Sequence, residues 1–108
     1  MSMYRCDDGS VYEGGWKDGY AQGWGRCTSG VTGTKYYGYW KEGQKHGWGR
    51  YTVANGNFYE GFWKDNNWHG TGRYHFVANG YVYTGVWKEG QKHGTGTYTY
   101  ADGSVIER

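Results

Sequence analysis

Four stretches of the chain, residues 12–27, 36–51, 59–74 and 83–98, carry one pattern, Y-x-G-x-W-K-(D/E)-G-x-x-H-G-x-G-x-Y. They begin at Tyr12, Tyr36, Tyr59 and Tyr83, so the period is 24, 23 and 24 residues. A fixed period of this length means one small supersecondary unit stacked on copies of itself. It divides the 108 residues into a partial copy (1–11), repeats at 12–35, 36–58, 59–82 and 83–103, and a partial C-terminal strand (104–108), all in one domain. The connectors SGVTGTK, VANGNF and VANGYV absorb the one-residue differences in period, as loops do at little cost.

The pattern selects strands. Tyr, Gly and Trp of Y-x-G-x-W sit at i, i+2 and i+4, which places all three on one face of a strand. Asp8-Gly9, Asn55-Gly56, Asn79-Gly80 and Asp102-Gly103 are hairpin-turn signals, with positive φ expected at both central residues. Gly19, Gly43, Asn66 and Gly90 form a second turn column, again left-handed. Each repeat therefore predicts a β-hairpin. Successive hairpins predict an all-β fold: an elongated, twisted, single-layer antiparallel sheet of about nine or ten strands, on the order of 40 Å long. The middle glycines Gly14, Gly38, Gly61 and Gly85 leave room for a ring from a neighbouring strand.

Composition fits this fold and excludes others. The chain has 22 Gly, 13 Tyr and 7 Trp, no Pro, no Leu and a single Ile, Ile106. That is too much glycine and too little aliphatic surface for a helical bundle. No apolar run reaches the roughly 20 residues of a transmembrane helix. Arg5, Asp7, Asp8 and Glu13 leave no apolar leader near the start. A net charge of +2 is too small to announce a nucleic-acid partner. Two cysteines make neither a disulfide framework nor a zinc site, and a cytoplasmic location is expected.

Candidate chemistry is sparse. His46, His69 and His93 recur one repeat apart, about 9–10 Å, too far to share one metal ion. They are read as turn-stabilising residues bonded to backbone, and His75 as a solvated or strand-edge residue outside the column. Cys6 and Cys27 fall on equivalent strands, beyond the ~7 Å limit for a bridge. Cys27 is read as a small filler in a tyrosine column. The serines lack a nucleophile elbow. Asp18, Glu42, Asp65 and Glu89 form one solvated column rather than a carboxylate pair in unlike environments. Gly47-Trp48-Gly49 lacks the Lys-Ser/Thr ending of a phosphate loop. No enzymatic activity, cofactor or metal is expected.

The repeat resembles the MORN (membrane occupation and recognition nexus) family, whose unit carries Y-x-G-x-W-x-x-G-x-x-H-G-x-G. Four tandem copies make the resemblance specific. Departures are Gln22 in the His column, Asn66 for the turn Gly, Cys27 for the second-strand Tyr, and Ile106 for the Tyr of a fifth copy. The resemblance implies scaffolds in cytoskeletal and membrane-contact assemblies, regulatory arms of enzymes, and phospholipid binding.

The residues point the same way. Tyr12, Trp16, Tyr36, Trp40, Tyr59, Trp63, Tyr83 and Trp87, joined by Tyr51, Tyr74 and Tyr98, are expected to form a partly exposed aromatic groove. Exposed aromatic patches mark binding surfaces. The leading reading is a non-catalytic scaffold module that binds a partner polypeptide segment there, or self-associates through its edge strands at residues 3–6 and 104–107. The second reading is a peripheral membrane module, with Lys17, Lys41, Lys64, Lys88, Arg26, Arg50 and Arg73 meeting phospholipid headgroups. On that face, cross-strand charge pairing is the plainer alternative. Carbohydrate stacking on the Trp and Tyr rows is a third reading.

Overall fold

The computed structural model of the chain describes residues 2–5, as backbone, and residues 9–108. The expected Asp8-Gly9 turn and the Cys6–Cys27 separation lie outside the described residues. Among those described, ten strands form one antiparallel sheet in strict sequence order. They are β1 (Ser2–Arg5), β2 (Val11–Lys17), β3 (Tyr20–Thr28), β4 (Lys35–Lys41), β5 (Gln44–Thr52), β6 (Phe58–Lys64), β7 (Asn67–Phe76), β8 (Tyr81–Lys88), β9 (Gln91–Thr99) and β10 (Val105–Glu107). The molecule measures 46 × 24 × 19 Å, an open single layer, as the repeat predicts.

Register aligns the repeats into rows that run across the strands. Within hairpins Tyr12 pairs with Cys27, Tyr36 with Tyr51, Tyr59 with Tyr74 and Tyr83 with Tyr98. Between hairpins Cys27 faces Tyr36, Tyr51 faces Tyr59 and Tyr74 faces Tyr83. The second-strand aromatics thus share the face of the first-strand ones. Two residues on, a row of glycines crosses the sheet: Gly14, Gly25, Gly38, Gly49, Gly61, Gly72 and Gly85 face one another strand by strand. The Tyr36 ring lies over Gly38 of its own strand and Gly49 of the next, and a Cβ on Gly49 would collide with the hydroxyl end of that ring. The covering ring is therefore a neighbour's for the second-strand glycines. For the first-strand glycines it is their own strand's.

Glycine-lined backbone lets rings lie flat, and that is how a single layer acquires a core. Tyr36, Tyr59 and Tyr83 are at most 1% exposed, and Trp40, Trp63 and Trp87 are also buried. Each of these tryptophans packs edge-on against two tyrosines, its own repeat's and the preceding one's. Trp40 meets Tyr36 at 5.1 Å and Tyr12 at 5.3 Å, and Trp63 meets Tyr59 at 5.6 Å and Tyr36 at 5.1 Å. Such edge-to-face pairs add about 0.5–1.5 kcal/mol each beyond burial.

The turns correct one expectation. Positive φ at both central residues occurs within the repeats: Glu42 (50°) with Gly43 (81°), and Asp65 (50°) with Asn66 (72°). In the connectors only the glycine is left-handed, as at Gly56 (97°), and its N–H bonds back to the Val53 carbonyl. Connector loops are longer, so a single left-handed residue closes them. The turns also stack. Gly43 N–H donates to Ala21 O at 2.9 Å, Asn66 N–H to Lys45 O at 3.1 Å and Gly90 N–H to Trp68 O at 3.0 Å. Asn66 is more than a glycine substitute, since its side-chain oxygen accepts the Lys45 N–H at 2.9 Å.

Candidate functional site

The first glycine of each H-G-x-G is a bulge residue. On β5 three residues, His46, Gly47 and Trp48, stand opposite the single Tyr39 of β4, between the pairs Trp40–Lys45 and Gly38–Gly49. Gly47 has φ 73°, and Gly23, Gly70 and Gly94 are left-handed in the same column. Extra residues on one strand bend it and re-aim its side chains. Here the bend carries the residue before each His over the aromatic ladder. That column reads Ala21, Lys45, Trp68, Lys92.

These residues cap the tyrosines. Trp68 lies flat on Tyr59, 4.3 Å apart at 5°. The Lys45 ammonium sits 5.5–5.9 Å from the ring centres of Tyr36, Trp40, Tyr51 and Trp63. The Lys92 ammonium lies 4.3 Å from the Tyr83 ring and bonds the Tyr98 hydroxyl. Ala21 is too short to cap Tyr12, which is the most exposed of the four ladder tyrosines at 6%. Burial pushes the Lys45 ammonium below the ordinary lysine value. It likewise pushes the Tyr36 and Tyr59 hydroxyls well up. Among the described residues no carboxylate lies within ion-pair distance of Lys45 or Lys92. Between Lys45 and Trp68 the surface dips into a depression of about 280 Å³, lined also by Tyr51, Trp63, Asn66, Asn67 and Gly90.

The expected groove is therefore corrected in its lining. Tyr12, Tyr36, Tyr59, Tyr83, Trp40, Trp63 and Trp87 are core rather than partly exposed surface, because glycine rows below, edge-on rings beside and, in every repeat but that of Tyr12, capping residues above enclose them. Trp16 is 39% exposed. Tyr51, Tyr74 and Tyr98 are half-buried at the edge of the ladder. The solvent face of the groove consists of these three and the capping column, which a pattern written "x-x" conceals.

The basic residues occupy the opposite face. Lys17, Lys41, Lys64, Lys88, Arg26, Arg50 and Arg73 are all exposed, one position out of phase with the ladder. Interleaved with them is a second set of aromatics, Trp24, Tyr37, Trp48 and Phe62, 38–53% exposed. Trp24 touches Tyr37, Tyr39 and Trp48 at 6.0–6.3 Å. Charge pairing there is confined among described residues to Arg50–Glu60 and His75–Glu60, each 3.0 Å. Burial raises the Glu60 carboxyl, but bonds from Arg50 and His75 outweigh it and hold the group below its ordinary value.

Two histidine readings change. Among the described residues, the rings of His46, His69 and His93 make no backbone hydrogen bond, whereas the exception Gln22 does, accepting the Glu42 N–H at 3.1 Å. A planar amide reaches the next turn where the imidazoles do not. His75 is not simply solvated: besides bonding Glu60 it stacks on Phe58 at 4.2 Å. Cys27 packs half-buried against the ladder within the tyrosine row.

The family model of the MORN repeat matches residues 12–31, 36–58, 59–81 and 83–105. No curated protein matches the chain in sequence.

Proposed function

The chain belongs to the MORN repeat family, and from that premise we propose that it is a non-catalytic scaffold module that binds a segment of a partner protein along its aromatic groove. Repeats of this family are generally protein- or membrane-interaction modules. The observation that favours a protein partner is the depression between Lys45 and Trp68. It joins half-buried rings to an ammonium that no carboxylate among the described residues neutralises. Aromatic anchors that fill pockets are a usual energetic centre of a protein interface, and a charge opposite them sets which partner is accepted.

The membrane reading is supported by a different surface. Exposed Trp24, Trp48 and Phe62 beside Arg26, Arg50 and Arg73 combine amphipathic rings with cations, as interfacial contacts do. The two readings use opposite faces, so one experiment separates them. A Trp68→Ser variant and a Trp24→Ser/Trp48→Ser variant are compared for selection of peptides from a displayed random library and for co-sedimentation with vesicles rich in anionic phospholipid. We expect Trp68→Ser to lose peptide binding and the outer-face variant to keep it. The reverse pattern, with vesicle binding lost only in the outer-face variant, would replace the proposal with the membrane reading.

A further inference from the structure

The capping column presents one side chain per repeat: a cation at Lys45, a flat indole at Trp68 and a cation at Lys92. Equivalent positions in successive repeats are two strands apart, about 9.6 Å at ~4.8 Å per strand. A polyproline II helix has three residues per turn and rises about 3.1 Å per residue, a pitch of about 9.3 Å. Residues i, i+3 and i+6 of such a segment lie on one face and advance about 19 Å, the span of two repeats. Other backbones fit the spacing less well. An extended strand shows alternate residues on one face, so three steps change faces. An α-helix rises about 10.5 Å over seven residues, and its register drifts with each repeat.

We propose that the groove binds an acidic polyproline II segment across the strands, with a carboxylate at i against Lys45, an apolar residue or proline at i+3 against Trp68, and a carboxylate at i+6 against Lys92. The proposal rests on the groove being the docking face. Charge complementarity commits the occupant. The two ammonium groups are held over aromatic rings, with no carboxylate among the described residues within ion-pair distance of them. A partner's carboxylate restores what burial takes from Lys45. Rings at the groove's edge, Tyr51, Tyr74 and Tyr98, supply the aromatic walls that polyproline II ligands pack against, and the preformed helix loses little entropy on docking.

The test uses a synthetic peptide with the core Glu-Pro-Pro-Leu-Pro-Pro-Glu, followed by tryptophan fluorescence. Two comparison peptides carry Lys in place of both Glu, or bring the acids two residues closer. We expect the first peptide to bind and each comparison to bind about tenfold more weakly or worse. Lys45→Gln and Lys92→Gln should each weaken the first peptide about tenfold and steepen nothing for the lysine peptide. Equal binding of the acidic and basic peptides, or indifference to the spacing, overturns the proposal. These readouts leave the protein unaltered, so misfolding of a variant cannot mimic them. The random-library selection distinguishes the two levels. Binders that need Trp68 but show no acidic i, i+6 pattern overturn this inference and leave the groove reading intact. Binders indifferent to Trp68→Ser remove both.

Discussion

Trp63 and Trp48 lie on adjacent hydrogen-bonded strands, β6 and β5, yet Trp63 is 5% exposed and Trp48 is 38% exposed. The difference is what lies beneath and beside each ring. On the ladder face the glycine row lets Tyr36 and Tyr59 settle onto backbone, which brings them edge-on to Trp63. The Trp63 indole N–H also reaches the Gly49 carbonyl at 3.1 Å. On the other face, positions between the glycines hold Tyr37, Tyr39, Arg50 and Glu60, whose Cβ atoms keep neighbouring rings standing. The same residue type is core on one side of a single sheet and surface on the other.

The comparison breaks most visibly under truncation. Trp63→Ala should cost about 3–5 kcal/mol of unfolding free energy, whereas Trp48→Ala should cost about 0.5 kcal/mol. Urea unfolding of the two variants checks this, and equal losses would mean the faces are not energetically distinct. Next comes Gly49→Ala. The added methyl collides with the Tyr36 ring, and displacing that ring should cost about 1–3 kcal/mol or more. The midpoint of thermal unfolding reports it.

Alkali should act on the ladder face. Burial raises the Tyr36 and Tyr59 hydroxyls in the folded chain. Above pH ~10 the unfolded chain loses these protons and the folded chain keeps them. Stability is therefore intact below that pH and falls as pH rises, by about 1.4 kcal/mol per pH unit for each tyrosine. A denaturant series from pH 8 upward should show the slope, and a flat profile would contradict tyrosine burial.

A finer contrast lies within the ladder. Trp40 and Trp63 donate to the Gly25 and Gly49 carbonyls, but the buried Trp87 indole N–H has no acceptor among the described residues. Trp63→Phe should therefore cost about 1 kcal/mol more than Trp87→Phe, read as the difference between their unfolding midpoints. The smallest effect belongs to the outer face. Glu60 is held below its ordinary value, so its contribution is present above that value and is lost as pH falls through the depressed one. Because the Arg50–Glu60–His75 cluster is solvated, the loss should stay below about 1 kcal/mol. Glu60→Gln should remove that acid-side dependence in a second denaturant series, run from about pH 7 down to about pH 3.

Much of the fold was legible in the repeat itself. Period, strand phase and the left-handed turn column at Gly19, Gly43, Asn66 and Gly90 all follow from spacing, because strand geometry has period two and each turn type has few solutions. The capping column was not legible. Ala21, Lys45, Trp68 and Lys92 share no single side-chain type, so a consensus treats their position as noise, and only the bulges at Gly23, Gly47, Gly70 and Gly94 bring it over the rings. Burial of the ladder was misjudged for a related reason. An open sheet suggests half-exposed rings, and the extent to which glycine lets tyrosine lie flat appears only in three dimensions. His75 was missed because its partners Glu60 and Phe58 come from the previous strand, 15 and 17 residues away in sequence.

Strict sequence order of the strands has a kinetic consequence. Every strand pairs only with its immediate predecessor and successor, so no pairing has to close a loop longer than a connector. Slow folding of all-β proteins comes largely from bringing distant strands together. This sheet can instead start at any one hairpin and zip outward, one stacked turn at a time. It should fold with the speed of a local-contact protein despite containing no helix among its described residues.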